Sequence, residues 1–184
     1  MGASPPGHTK NAGEAELSDT YVDSSYPNTN YGSFESIWVS NASGQRQVYS
    51  LVKANALPAL KSGDIILEAG IHYAKYDLDT SAPIVVSGYR VTEGWNETTA
   101  TYNDLPAYGS DPVTVAATMY MNRYSEFDIT STVKSWYENP SSNYGILLKG
   151  NNYTKFISTM LVGNNIVNIT ATTISGLIFA NFIQ

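Results

Sequence analysis

The chain predicts an all-β fold: a single jelly-roll-like antiparallel β-sandwich with one short capping helix at about residues 130–138. Three features carry that expectation. Segments in which apolar and polar residues alternate recur along most of the sequence, at the short spacing that marks sandwiches and barrels. Charged residues make up only 14% of the chain, and polarity comes instead from Asn, Ser, Thr and Tyr, with 14 Tyr and 14 Gly; these types suit strands and turns. The one convincing helical period lies between two of the alternating segments, in residues 127–138. A length of 184 residues fits one domain with a real core.

Residues 1–18, rich in Pro, Gly, Ala and polar side chains, lack apolar alternation and read as an extended polar arm; the sandwich domain is expected over 19–184. Thr20-Tyr21-Val22 is a short strand, followed by turn-rich residues 24–33. In 34–40, Phe34, Ser36, Trp38 and Ser40 share one face while Glu35, Ile37 and Val39 share the other. After the turn Asn41-Ala-Ser-Gly44, Val48, Ser50 and Val52 alternate with Tyr49, Leu51 and Lys53. Residues 56–63 form a connection with apolar anchors, and 64–75 and 83–90 read as strands. Residues 92–108 are irregular, and 112–121 form a strand leading to the helix. There Ile129, Val133 and Trp136 fall on one helical face. Asp128 or Thr130 supplies an acceptor for the first free amides, and Asn139-Pro140 stops the helix. Strands at 144–149, 155–162, 165–172 and 173–183 complete roughly ten.

Charge and composition exclude several classes. A net charge of −6, a pI near 4.7 and no basic run argue against binding a nucleic-acid backbone. With no cysteine there is no disulfide framework and no thiolate chemistry. No stretch approaches the roughly 18 apolar residues of a membrane span. Met1 opens a polar segment without the apolar core of a secretory signal. The expectation is a mature segment carrying a start Met, or a product exported by another route, as a virion protein would be.

Catalysis has little to stand on. His8 lies in the arm and His72 within a strand, neither in a nucleophile or zinc spacing. Glu93, Glu97, Asp104 and Asp128 could supply the carboxylate pair of a glycosidase, but capping and loop-holding roles suit them better. No cofactor is expected beyond a structural Ca²⁺. For that ion, Asp19, Asp23 and Asn30 offer oxygen ligands in one turn-rich segment, and Asp77 and Asp79 in another, without EF-hand spacing. For a sugar, Tyr108, Tyr120, Asn122, Arg123 and Tyr124 bring rings and donors together in sequence, and Arg46 and Lys53 add donors for an acidic polymer. Trp38, Trp95 and Trp136 read as core. Four sequons, beginning at Asn41, Asn96, Asn152 and Asn168, permit surface glycosylation.

Five groups of residues then carry a likeness. They are Asp19-Thr-Tyr-Val22 with Asn30-Tyr-Gly32; Ser50-Leu-Val-Lys53 with Leu57-Pro58; residues 66–73 (ILEAGIHY); Val91 with Trp95, Glu97, Thr101-Tyr102 and Pro106; and Phe127-Asp-Ile-Thr130 with Val133, Trp136 and Asn143-Tyr-Gly-Ile146. In this order they resemble the DNRLRE-domain family, also grouped as carbohydrate-binding module family 96, over about residues 19–148. Two departures stand out. Ala54-Asn55 replaces the Phe-Asp usual after the lysine, and no proline precedes the last strand. The resemblance implies a jelly-roll-like sandwich of extracellular proteins, some of which bind polysaccharides.

In residues 174–183, Ile174, Ile178, Ala180 and Phe182 share one face while Leu177, Phe179 and Ile183 share the other. A sandwich strand has one wet face, so a strand apolar on both sides needs a second cover. Leu177, Phe179, Phe182 and Ile183 are therefore expected at an assembly interface. The leading expectation for function is a non-enzymatic structural surface protein. It would be the self-associating subunit of an extracellular filament, coat or virion, held by β-strand and apolar contacts. The alternative is a carbohydrate-binding module for a polysaccharide; a polysaccharide-active enzyme comes third.

Overall fold

The computed structural model describes residues 9–41, 46–74, 84–118, 124–152, 154–157 and 166–173. Among them lie ten strands: β1 (Thr9–Asp23), β2 (Ser36–Val39), β3 (Val48–Ala54), β4 (Asp64–Ala74), β5 (Ile84–Val91), β6 (Tyr108–Thr118), β7 (Tyr124–Asp128), β8 (Ile146–Gly150), β9 (Thr154–Ile157) and β10 (Ile166–Thr173). One α-helix, α1 (Thr130–Glu138), follows β7. Every strand pairing is antiparallel, and the fold is the all-β sandwich that alternation predicts.

β1 organises the two layers. Its first half, from Thr9 to Glu16, pairs with β10, and its second half, from Leu17 to Asp23, pairs with β3. One sheet then runs β1-β10-β4-β7 and the other β1-β3-β8-β5-β6, and the outermost strands β6 and β7 come into contact. The small β2–β9 pair packs beside the start of β3, where Ser40 bridges Val48. Strand structure from Thr9 onward differs from the expected extended arm. These residues satisfy their main-chain donors and acceptors through β10, which requires no apolar alternation of their own.

Side chains of the two sheets meet in an inner core. Val52, Ala54, Val86, Ile146 and Leu148 come from one sheet, and Ala69, Ile71, Tyr73 and Phe127 from the other, all buried. Ile129, Val133 and Trp136 close that core from α1, on the face that their spacing predicts. Asp128 Oδ1 accepts the Thr130 amide at 2.9 Å and the Thr130 hydroxyl at 2.6 Å, with Ile129 itself in the cap position. Thr130 Oγ1 in turn accepts the Ala69 amide at 2.9 Å, which ties the helix start to β4. Pro140 ends the helix in a 3-10 turn.

The opposite face of the β3-containing sheet is also buried. Val22, Tyr49, Leu51, Val91 and Leu147 form a second core, and Ala100 of loop 92–107 lies in it. Both sides of β3 are therefore apolar, the pattern of a strand covered twice. Of the three tryptophans, Trp136 is in the core as expected, while Trp38 and Trp95 are half-buried at its margins. No helix among the described residues is long and apolar enough to cross a membrane.

Candidate functional site

Loop 92–107 covers the outer face of one sheet, and its own sequence is too polar and irregular to fold alone. Specific contacts seat it. The Trp95 indole N–H donates to the Tyr144 carbonyl at 2.7 Å, and Glu97 Oε1 accepts the Asp19 amide at 2.9 Å. Asn30 Nδ2 donates to the carbonyls of Glu97 and Ala100, each at 2.8 Å. Gly32 passes so close that a Cβ there would lie 2.1 Å from the Glu97 carbonyl oxygen. The Asn30-Tyr-Gly32 and Trp95–Glu97 landmarks are thus the two halves of one latch.

Ala100 of the latched loop packs in one cluster with Leu51, and distinct groups of side chains gather toward either end of β3. Toward the start of β3, four side chains from four adjacent elements gather. Lys149 Nζ of β8 lies 4.7 Å from the ring centre of Tyr49, 5.0 Å from that of Tyr89 and 4.3 Å from that of Tyr108. It donates to the Tyr108 hydroxyl at 2.8 Å. Tyr89 and Tyr108 meet edge-on at 5.9 Å, Tyr49 and Tyr102 are tilted at 6.0 Å, and the Tyr102 hydroxyl donates to Gln47. Burial pushes the Tyr49 hydroxyl up to about 12, helped by neighbouring Tyr102 and Tyr108. That phenol stays neutral, and its ring faces the ammonium as a π surface.

Toward the end of β3 lies a polar cleft of about 350 Å³, lined by Ser18, Lys53, Asn55, Trp95, Asn96, Glu97 and Thr98. Trp95 gives it one flat apolar wall, and the rest supply an ammonium, a carboxyl, amides and hydroxyls. Desolvation raises the Glu97 carboxyl above its ordinary range, the Asp19 amide partly offsets this, and the nearby Asp19 charge adds to the rise. Tyr49 and Lys53 point to the same side of β3, four residues and roughly 13 Å apart. Rings and polar groups on one sheet face form a surface on which the C–H faces of a hydroxylated ligand can cover rings while its hydroxyls exchange water for side-chain partners.

The residues expected to bind sugar fall in different places. Tyr108 lies in the lysine–tyrosine group, and Lys53 lines the cleft. Arg46 sits elsewhere. Its guanidinium pairs through two nitrogens with fully buried Asp23 and lies 5.4 Å from the Tyr26 ring and 5.8 Å from Trp38. Tyr21 is stacked between Tyr31, at 4.1 Å, and Trp38, at 5.3 Å, while Tyr26 and Phe34 expose about half their surface. Tyr120, Asn122 and Arg123 lie outside the described residues, and Tyr124 is described only in its main chain, as the first residue of β7. Sequence reasoning missed Tyr49, Tyr89, Tyr102 and Lys149. The available signal was alternation: Leu147 and Lys149 share a face, and Lys149 is paired across the ladder with Tyr49.

The oxygens considered for Ca²⁺ have other partners. Asp19 Oδ2 accepts the buried Tyr73 hydroxyl at 2.8 Å, Asp23 holds Arg46, and Asn30 is part of the latch. Among the described residues no three His, Asp or Glu side chains converge as a metal site would require. Asp77 and Asp79 lie outside those residues, as do Leu177, Phe179, Phe182 and Ile183. Each carboxylate considered for glycosidase chemistry accepts a structural bond: Glu93 from the Ala107 amide, Glu97 from Asp19, Asp104 from the Thr101 hydroxyl and Asp128 from Thr130. His72 faces Glu126 across the β4–β7 pair at 3.7 Å, a surface role.

The fold and this face define a β-sandwich module that presents rings and polar groups from one sheet. The model of carbohydrate-binding module family 96 matches residues 11–161, and the chain belongs to that family. Comparison with curated proteins returned no match. Membership corrects the leading expectation from sequence. The filament, coat or virion subunit expected from a lone domain, a polar low-charge surface and an apolar terminal strand gives way to a family match that covers most of the chain and points to carbohydrate as the partner.

Proposed function

We propose that this protein is a non-catalytic, extracellular polysaccharide-binding module whose ligand lies along the outer sheet face latched by loop 92–107. The observation that carries the reading is the group of half-buried Tyr89 and Tyr108 with Lys149, backed by buried Tyr49, on the same face as the Trp95–Lys53 cleft. Rings supply the flat apolar surface that the C–H face of a pyranose covers. Lys149 and Lys53 supply directional donors for its hydroxyl or carboxylate oxygens. A chain reaching from the tyrosine–lysine group to the cleft gains affinity because its second contact is intramolecular. Family membership supports the substrate class.

A glycan array of neutral and acidic polysaccharides, followed by calorimetric titration, tests this. Tyr108→Ala and Lys149→Ala are each expected to weaken binding about tenfold, or about 1.4 kcal/mol, with the near-ultraviolet circular dichroism retained. Binding that survives both changes but is lost in Tyr26→Ala would move the site to the Arg46 stack. An array with no bound polysaccharide would end the proposal.

A further inference from the structure

A second recess opens where residues 55–60 pass α1. It encloses about 440 Å³, and its walls are apolar: Leu57, Pro58, Leu60, Tyr137 and Pro140. No charged side chain lines it. Two residues of its lining each carry a buried polar atom without a partner, the indole Nε1 of Trp136 and the amide Oδ1 of Asn143. Trp136 is 1% exposed. The neighbouring polar atoms are committed. Asn143 Nδ2 donates to the Ala54 carbonyl at 3.0 Å, which sets the amide so that its oxygen is the unused end. The Tyr137 hydroxyl donates to the Pro58 carbonyl at 2.6 Å.

A buried donor or acceptor left unpaired loses its water contacts without replacement, and native interiors rarely tolerate one. Here one of each belongs to residues that line a single recess. A hydroxyl group answers both needs, since it accepts from an N–H and donates to a carbonyl. Water also does so, but the waters that fill an open recess of this size lie against apolar walls that offer them few partners. An uncharged lining excludes a carboxylate or sulfate as occupant, because either would be desolvated without a counter-charge. The occupant is therefore neutral, carries hydroxyls and has apolar faces.

Position supplies the remaining clue. Asn55 lines both this recess and the Trp95–Lys53 cleft, so the two openings adjoin. The Ser18 hydroxyl donates to Asn55 Oδ1 at 2.8 Å on the cleft side, fixing the shared rim. We infer that the recess is a further subsite for one uncharged sugar ring of a polysaccharide chain that continues past Asn55 from the cleft. This rests on the polysaccharide reading of the outer face, but it assigns a different set of side chains and a charge requirement of its own.

Indole N–H cross-peaks in a nitrogen–proton correlation spectrum test it directly, because the chain has 3 Trp. Trp38 donates to Ser36 and Trp95 to Tyr144, whereas the Trp136 N–H is unpaired. Titration with cello-, manno- and xylo-hexaoses is expected to move the Trp136 cross-peak saturably. Ala59→Trp, changed at an exposed position on the recess wall, is expected to abolish that shift, lower hexaose affinity about tenfold and leave binding of a disaccharide unchanged. If the hexaoses bind and perturb Trp95 while Trp136 stays still, the recess holds water only and the inference falls alone. If Trp136 responds to free glucose, mannose or xylose although Tyr108→Ala and Lys149→Ala change nothing, the recess stands and the outer-face reading falls. If no indole moves and nothing binds, both fail.

Discussion

Glu97 combines two tasks in one residue. Its carboxyl takes the Asp19 amide, and its carbonyl takes Asn30, so it fastens the loop from both ends while lining the cleft. Burial raises its pKa, with the Asp19 charge adding to the effect. A raised carboxyl binds its proton more tightly folded than unfolded. Its ionisation therefore opposes folding increasingly as pH climbs from the unfolded value of about 4.3 through the folded one. Glu97→Gln keeps an acceptor but removes the charge. Its melting temperature relative to the parent is expected to rise between about pH 4 and pH 7, and a pH-independent difference would refute this. Asp128 has the opposite sign. The Thr130 hydroxyl and then the Thr130 amide hold it low, so its contribution exists at neutral pH and fades as acid protonates it below about pH 3.9. Asp128→Ala should cost about 1 kcal/mol at pH 7 in urea denaturation, and much less near pH 2.

At the scale of elements, close main-chain approaches explain several of the sequence landmarks. Gly145 has φ of 86°, and a Cβ there would stand 2.1 Å from the Val52 carbonyl oxygen. Asn143-Tyr-Gly-Ile146 thus marks where the segment after the helix is pressed against β3 before entering β8. Gly145→Ala combines left-handed strain with a main-chain clash. It should lower the unfolding free energy by more than about 2 kcal/mol, read from the denaturation midpoint; a loss below about 0.5 kcal/mol would show that the contact relaxes at little cost. Gly32 plays the same part for loop 92–107 without unusual φ, through its approach to the Glu97 carbonyl. Both glycines serve the face proposed for binding, one by seating the loop and the other by placing Tyr144, whose carbonyl holds Trp95.

Over the whole molecule, β1 is the strand common to both sheets. Removing residues 1–16 would strip the partner from one edge of β10 while leaving the pairing of Leu17 to Asp23 with β3 intact. The expected result is a protein that melts well below the parent and aggregates through the freed edge, as followed by circular dichroism and light scattering. An unchanged melting temperature would mean that residues 9–16 are the dispensable arm suggested by composition alone.

What could be read in advance depended on how locally each feature is encoded. Alternation exposed the sandwich, and i, i+4, i+7 spacing with Asn139-Pro140 placed α1 at its observed bounds, because backbone geometry and burial act there within a few residues. The stretch from Thr9 to Glu16 does not show its strand in composition, because its strand structure is supplied by a partner more than a hundred residues away. The Tyr108 neighbourhood in sequence was likewise a poor guide to its neighbourhood in space. Tyr49, Tyr89, Tyr108 and Lys149 belong to four strands, and only the order β6-β5-β8-β3 brings them together. The sequence by itself determined an antiparallel sandwich and its helix, since each is a local periodic requirement. Tertiary structure alone decided which side chains share a surface, because ladder register sets cross-strand neighbours and no residue carries that register within its own segment.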